Sequence, residues 1–261
     1  LRVLGPVFHL DGDLLVPTEL ARGPWDPKAQ HGGPVAASLA RAIERCEPMP
    51  GLEVVRVIVE IIRPIPLSPL RTEAKVSRGG KRVQLVEASL LDGDVELARA
   101  YAWRIRVADG LTPSIEPGTL PPAPETGRLW ESWSDEPGFW SAVEWRFVIG
   151  YFSDIGPATG WCRLLSPLFD GEEPTPLQRV LVTADFGNGI SGTLDFMSYL
   201  YINVDLVVHL HRAAQGEWIG LEATTSIGPG GVGVARGNLY DHAGSIGGSA
   251  QELLVEPRKP G

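Results

Sequence analysis

The clearest periodicity in the chain lies between residues 32 and 46. Val35, Leu39, Ile43 and Cys46 recur at helical spacing, with Ala36 and Ala40 beside them and Arg41, Glu44 and Arg45 on the opposite side. His31-Gly32-Gly33-Pro34 enters this stretch as a tight turn, and Pro34 suits the first helical position, where its missing N–H is no loss. Pro48 and Pro50 end it. A helix with so small and apolar a face needs a large wrapper, and the pattern that follows is strand-like. Val54 to Arg63 is rich in Val and Ile. Leu70 to Ser77 and Arg82 to Leu91 flank Arg78-Gly79-Gly80-Lys81, a hairpin signal, and Asp92-Gly93-Asp94 turns into Val95 to Val107. Ahead of the helix, residues 7–20 read as a hairpin about Asp11-Gly12-Asp13. The predicted order for this half is β-β-α-β-β-β-β.

Residues 108–129 are proline-rich (Pro113, Pro117, Pro121, Pro122, Pro124) and read as an extended linker. An aromatic stretch follows, with Trp130, Trp133, Trp140, Trp145, Tyr151 and Trp161. Thr175 then caps a second predicted helix with Pro176 at its first position, and Leu177, Val180, Leu181 and Ala184 form its apolar stripe. Asp185, Asn188 and neighbouring glycines end it.

After that helix the first half repeats. Shifting residues 72–92 by 149 positions sets Glu73-Ala74 on Glu222-Ala223, Gly79 on Gly228, Val83 on Val232, Leu90 on Leu239 and Asp92 on Asp241. With one short gap, Val59-Glu60 meets Val204-Asp205. The matches fall at turns and alternating strand positions, where a shared fold puts them. Two copies of one unit are expected, residues 1–107 and 130–261, joined by 108–129 and packed with pseudo-two-fold symmetry.

Composition narrows the classes of function. Among 261 residues, 43% are hydrophobic and 21% charged, which is ordinary for a globular protein. A net charge of −9 offers no basic footprint for nucleic acid and disfavours anionic membranes. No apolar run approaches the roughly 20 residues of a membrane span, and Leu1-Arg-Val-Leu-Gly-Pro6 lacks a signal-peptide layout. Two cysteines, Cys46 and Cys162, make neither a disulfide framework nor a metal cluster. A cytoplasmic setting is expected.

The repeat exposes three polar positions in the second copy. Asp205 lies inside the apolar strand Tyr201 to His209, where a carboxylate is costly unless paired or functional. Thr224, with Thr225 beside it, sits in the next strand, and Gln251 sits between apolar neighbours further on. Their counterparts are Glu60, Lys75 and Ala102, so the trio occurs once, as in a duplicated ancestor that kept one working site. On the residues alone, a structural carboxylate bonded to a backbone N–H is the better account of Asp205. An alternative role for Gln251 is to satisfy backbone groups at a sheet edge, and for His31 to cap a turn. His209 and His211 share a strand face but have no third metal ligand within reach in sequence. Gly228 to Gly233 reads as a hairpin turn, and the chain has no Gly-x-Ser-x-Gly elbow.

Several segments resemble the type II, double-hotdog acyl-CoA thioesterases, and in particular their actinobacterial thioesterase-like branch. They are Gln30-His-Gly-Gly-Pro-Val-Ala-Ala37, Ala184-Asp-Phe-Gly-Asn-Gly189, Asn203-Val-Asp-Leu206, His211-Arg212, Gly216-Glu-Trp-Ile219, Leu239-Tyr-Asp-His-Ala-Gly244 and Ala250-Gln-Glu-Leu-Leu-Val255. The resemblance implies an α+β fold of two tandem hotdog units, each an antiparallel sheet wrapped round a central helix. It implies hydrolysis of acyl-CoA to fatty acid and CoA, without cofactor or metal, in a homodimer or higher homo-oligomer. Carried over, Asp205 activates water that Thr224 (or Thr225) and Gln251 position, while His31, Gly32 and Gly33 supply the oxyanion-binding turn. Asp185 is a rival base, since some hotdog thioesterases use a helix carboxylate opposite a His-Gly-Gly turn. This chain has Asp205-Leu206-Val207 where close bacterial relatives have Asp-His-Ser. Two other readings are a hotdog enoyl-CoA hydratase or dehydratase, and a non-catalytic acyl- or acyl-CoA-binding protein.

Overall fold

The computed structural model describes residues 5–115 and 119–258. Leu1 to Leu4 of the segment read for a leader, residues 116–118 of the expected linker and residues 259–261 lie outside the described residues. The first half runs β1 (Phe8–Asp11), β2 (Leu14–Pro17), α1 (Gly32–Arg45), β3 (Leu52–Ile61), β4 (Leu70–Arg78), β5 (Val83–Asp92) and β6 (Val95–Arg106). The second runs β7 (Arg128–Leu129), β8 (Val143–Ile149), β9 (Ala158–Leu164), α2 (Pro176–Ala184), α3 (Gly187–Ile190), β10 (Tyr199–Asn203), β11 (Asp205–Leu210), β12 (Ile219–Ile227), β13 (Val232–Asp241) and β14 (Gly244–Pro257). The helix expected to open at Pro34 begins earlier, at Gly32, because His31 caps it, and α2 begins at Pro176 as expected. The His31 ring accepts the Gly33 N–H, and Thr175 and Gln178 form a reciprocal capping box.

All strands join one antiparallel 14-stranded sheet in the order β1-β2-β4-β5-β6-β3-β11-β14-β13-β12-β9-β8-β7, with β10 on β14. Read from its centre outwards, each arm visits corresponding strands. The 149-residue shift carries the start of β4 onto that of β12 and β5 onto β13 end for end. The junction is β3 against β11, with Glu60 opposite Asp205 and Val57 opposite Val208. Strand faces alternate as period two requires. In β5 Gln84, Val86, Ala88 and Leu90 turn inward, and in β6 Ala98, Ala100, Ala102 and Arg104 do so. These alanines leave room for α1, whose Val35, Leu39 and Ile43 are fully buried. Removing each of those side chains from water contributes roughly 1.5–3 kcal/mol.

The helices lie antiparallel. The start of α1 meets the end of α2, where Asp185 reaches His31, and the end of α1 meets the start of α2, where Glu44 reaches Thr175. Part of the stretch read as linker is paired instead. Arg128 and Leu129 add a short strand to β8, and the indole N–H of Trp161 donates to Pro122 O at 2.8 Å. A larger difference concerns the single strand expected over Tyr201 to His209. It breaks at Val204 into β10 and β11. On β14, Asn203 faces Leu253 and Val207 faces Ala250, four steps on one strand against three on the other. One residue therefore bulges out, and the inward positions change from Tyr201 and Asn203 to Leu206 and Val208.

Candidate active site

A cavity of about 420 Å³ opens where the start of α1 meets the end of α2. Its polar lining includes His31, Gly32, Asp185, Asn188 and Asn203. Asp185 closes α2 as its C-cap, and its own N–H donates to Leu181 O. Its carboxylate is only 4% exposed. Oδ1 accepts Asn203 Nδ2 at 3.0 Å, and Oδ2 lies 2.9 Å from His31 Nδ1. Gln251 supports the carboxylate from behind. Its Nε2 donates to Asp185 O at 3.1 Å and lies 3.5 Å from Oδ1, while its Oε1 accepts the Asn188 N–H at 3.0 Å. Asn188 Nδ2 in turn donates to Tyr201 O.

The glycines are required by close approach. A Cβ on Gly32 would lie 2.6 Å from Asp185 Oδ1, so the carboxylate rests directly on the bare Cα. The two amides differ. The Gly33 N–H donates to His31 Nδ1 at 3.0 Å, whereas Gly32, at the first helical position, has no intrahelical acceptor and lines the cavity. His31 Nδ1 thus meets two groups with one in-plane position. It cannot accept from Gly33 and donate to Asp185 at once, so these two contacts compete for one ring nitrogen.

The structure brings together His31, Gly32, Asp185 and Gln251 of the residues singled out in the sequence. It does not bring Asp205 or Thr224 to them. Asp205 Oδ1 accepts the Glu252 backbone N–H at 2.6 Å, the structural role its strand position suggested. Burial pushes its carboxyl above the usual range, and the Glu252 N–H opposes that. Thr224 is exposed, opposite Arg236 on β13. Thr225 turns inward, but its hydroxyl pairs with Ser191 at 2.7 Å, which itself donates to Gly187 O. Asn203 was not singled out in the sequence. The bulge at Val204 shifts the inward parity of the strand, and Asn203 is the polar residue on the cavity side. Among the described residues no cluster of His, Cys, Asp or Glu is arranged to hold a metal, and His209 is exposed. Cys162 is buried and its thiol is pushed up to about 12 by that burial, far from a reactive thiolate. Among the described residues no helix is long and apolar enough to cross a membrane.

Two helices crossing head to tail, each wrapped by its own arm of antiparallel sheet, with a carboxylate and a helix start sharing the seam, define a tandem hotdog protein. The profile of the acyl-CoA thioesterase N-terminal domain matches residues 21–105, and that of the C-terminal domain matches residues 117–255. The chain belongs to the acyl-CoA thioesterase family, and its reaction class is thioester hydrolysis. Solved structures share the fold at low identity. A candidate thioesterase II of Thermobifida fusca YX is 16% identical over 97% of this chain and 95% of its own, with a TM-score of 0.75. A hot dog fold protein of unknown function from Alicyclobacillus acidocaldarius is 15% identical over 97% and 96%, with a TM-score of 0.72. The acyl-CoA thioesterase II TesB2 of Mycobacterium marinum is 15% identical over 96% and 95%, with a TM-score of 0.67. A search of curated protein sequences returns no match.

Proposed function

We propose that this chain hydrolyses acyl-CoA to a free acid and CoA with Asp185 as the base that activates water. The observation that carries the reading is a carboxylate 4% exposed on a cavity wall, bonded by Asn203 and seated on Gly32. Water bound to Asp185 and Asn203 attacks the thioester carbonyl carbon. As the C–O bond forms, a proton passes to Asp185 and the carbonyl oxygen becomes an oxyanion. The Gly32 N–H, at the positive end of α1, is the donor in place to hold it. Collapse breaks the C–S bond, and Asp185 returns the proton to the departing thiolate. No covalent intermediate and no cofactor is needed. Gln251 acts through Asp185 by holding it from behind. A cytoplasmic setting, in keeping with two free cysteines, and self-association of chains belong to the same proposal.

The test is release of free thiol from acyl-CoAs by the full chain. Asp185→Asn is expected to lower kcat by about 10²–10⁴, the usual contribution of a positioned general base. Asp205→Asn is expected to leave kcat within about twofold, because that side chain serves only a backbone N–H. Loss in Asp205→Asn with activity kept in Asp185→Asn reverses the assignment. Water addition to an enoyl-CoA without thiol release replaces hydrolysis by the hydratase reading.

A further inference from the structure

Beyond Asp185 the cavity is walled by rings. Trp25, Trp133, Trp140, Phe152, Phe186 and Phe196 all line it. Most of them form one connected set. The Trp133 ring centroid lies 5.3 Å from Trp140, 5.2 Å from Phe152 and 6.1 Å from Phe196, and Phe196 lies 4.9 Å from Trp25. Polar contacts fix the ends of this arc. Arg258 Nε donates to Phe196 O at 2.9 Å, and its guanidinium stands 5.5 Å from the Trp25 ring and 4.9 Å from the Phe196 ring. Trp140 Nε1 donates to Glu136 O. Phe186 follows Asp185 directly and lies tilted beside His31, ring centroids 4.7 Å apart, so the rings begin where the proposed reading puts the thioester carbonyl.

Trp133 is the odd member. It touches four rings, counting Trp130 at 5.2 Å, yet is 47% exposed. A packing role would have buried so large a side chain. An indole held by neighbours but left open on a cavity wall offers a fixed aromatic face. An alkyl chain gains from such a wall only the area it buries, whereas an aromatic group gains offset-stacked or edge-on contact in addition. We propose that the acyl part this site takes is an aromatic ring system, carried as its CoA thioester, and that Trp133 and Phe196 impose that preference. The proposal rests on the reading of Asp185 as the centre of a thioester hydrolase.

Phenylacetyl-CoA and octanoyl-CoA carry acyl groups of equal carbon number and make the comparison direct. The full chain is expected to give a kcat/KM about tenfold or more higher for phenylacetyl-CoA, as one or two stacked rings allow. Trp133→Leu and Phe196→Leu are each expected to lower that ratio by about three- to tenfold, because leucine keeps apolar area for an alkyl chain but offers no ring face, and Trp133→Phe is expected to restore most of it. Preference of the parent chain for octanoyl-CoA, or a ratio unmoved in both leucine variants, overturns the proposal. Should either leucine variant fail to melt cooperatively, the other carries the comparison. If neither thioester releases thiol, hydrolysis itself fails. Binding of the same two thioesters, followed by tryptophan quenching, then decides the ring preference alone. Tighter phenylacetyl-CoA binding supports it, and equal or weaker binding overturns it.

Discussion

At each end of the helix pair a carboxylate of one helix reaches the capping residue of the other. At one end Asp185 meets His31, and at the other Glu44 Oε2 accepts Thr175 Oγ1 at 3.0 Å and Gln178 Nε2 at 3.1 Å. The resemblance stops at the first helical residue. That residue is Gly32 in α1, with a free N–H and no Cβ, and Pro176 in α2, with no N–H at all. The Glu44 end also borders a hollow, of about 250 Å³, but it has no amide at this position to offer an oxyanion. Both bonds to Glu44 converge on one oxygen and tie down the two residues of the capping box. Arg104 fills the remaining space, donating to the carbonyls of Ile43, Cys46 and Glu47 at the end of α1. On the proposed reading, the same pair of contacts serves chemistry at one end and helix termination at the other, and the difference is a glycine against a proline.

The sharpest way to break this contrast is Gly32→Ala. The new methyl must displace a carboxylate that Asn203 and His31 hold, and displacement of about 1 Å at a reacting group lowers kcat by about 10². Alanine is otherwise the better helix residue by roughly 0.5–1 kcal/mol, so Tm is expected to hold while activity falls. A variant with full activity separates Gly32 from the chemistry. Gln251→Ala comes next, with kcat lowered about ten- to a hundredfold. It also destabilises by about 1–3 kcal/mol, because the Asn188 N–H and Asp185 O lose buried partners. Rates from stopped assays and denaturant melts on one preparation read both.

At the other end the effects are confined to stability. Thr175→Ala removes a helix cap and is expected to cost about 1 kcal/mol in a urea melt with kcat/KM unchanged. The smallest effect is Glu44→Gln. Burial raises the Glu44 carboxyl above its ordinary value, so the folded state holds its proton more tightly than the unfolded chain does. Its ionisation therefore destabilises the fold as pH rises through that raised value, and the penalty is absent below the unfolded value. Glutamine accepts the same two hydrogen bonds without a charge. It is expected to raise Tm by about a degree or two at neutral pH, the gain vanishing below about pH 4. A gain that persists in acid removes the electrostatic cause.

Most of the fold was legible because its signals are local. The cap at Thr175, the Gly-Gly and Asp-Gly turns and the period-two strands all act over a few residues. The repeat then fixed which strands correspond, and β5 and β13 coincide end for end under the shift read from the sequence. The candidate site was harder for a specific reason. In the sequence Asp205 stands out as a carboxylate inside one unbroken apolar strand, Tyr201 to His209, whereas the chain bulges between Asn203 and Asp205. The bulge at Val204 is set by pairing with β14, some 50 residues on, and no local pattern announces it. The meeting of His31 with Asp185 is likewise a product of helix packing. Only the likeness to a His-Gly-Gly turn facing a helix carboxylate pointed to it. The sequence leaves Thr224 and Thr225 as alternatives, and of the two Thr225 turns inward with its hydroxyl on Ser191.

The β3–β11 seam has a genetic consequence. When two identical chains meet along such a seam, every mutation enters both sides at once, and a change that suits one end of the helix pair burdens the other. Here Val57 and Val208, or Glu60 and Asp205, face each other from separate codons of one gene. Each arm can therefore accept substitutions that its opposite number never receives, so proline at one helix start and glycine at the other can be inherited together.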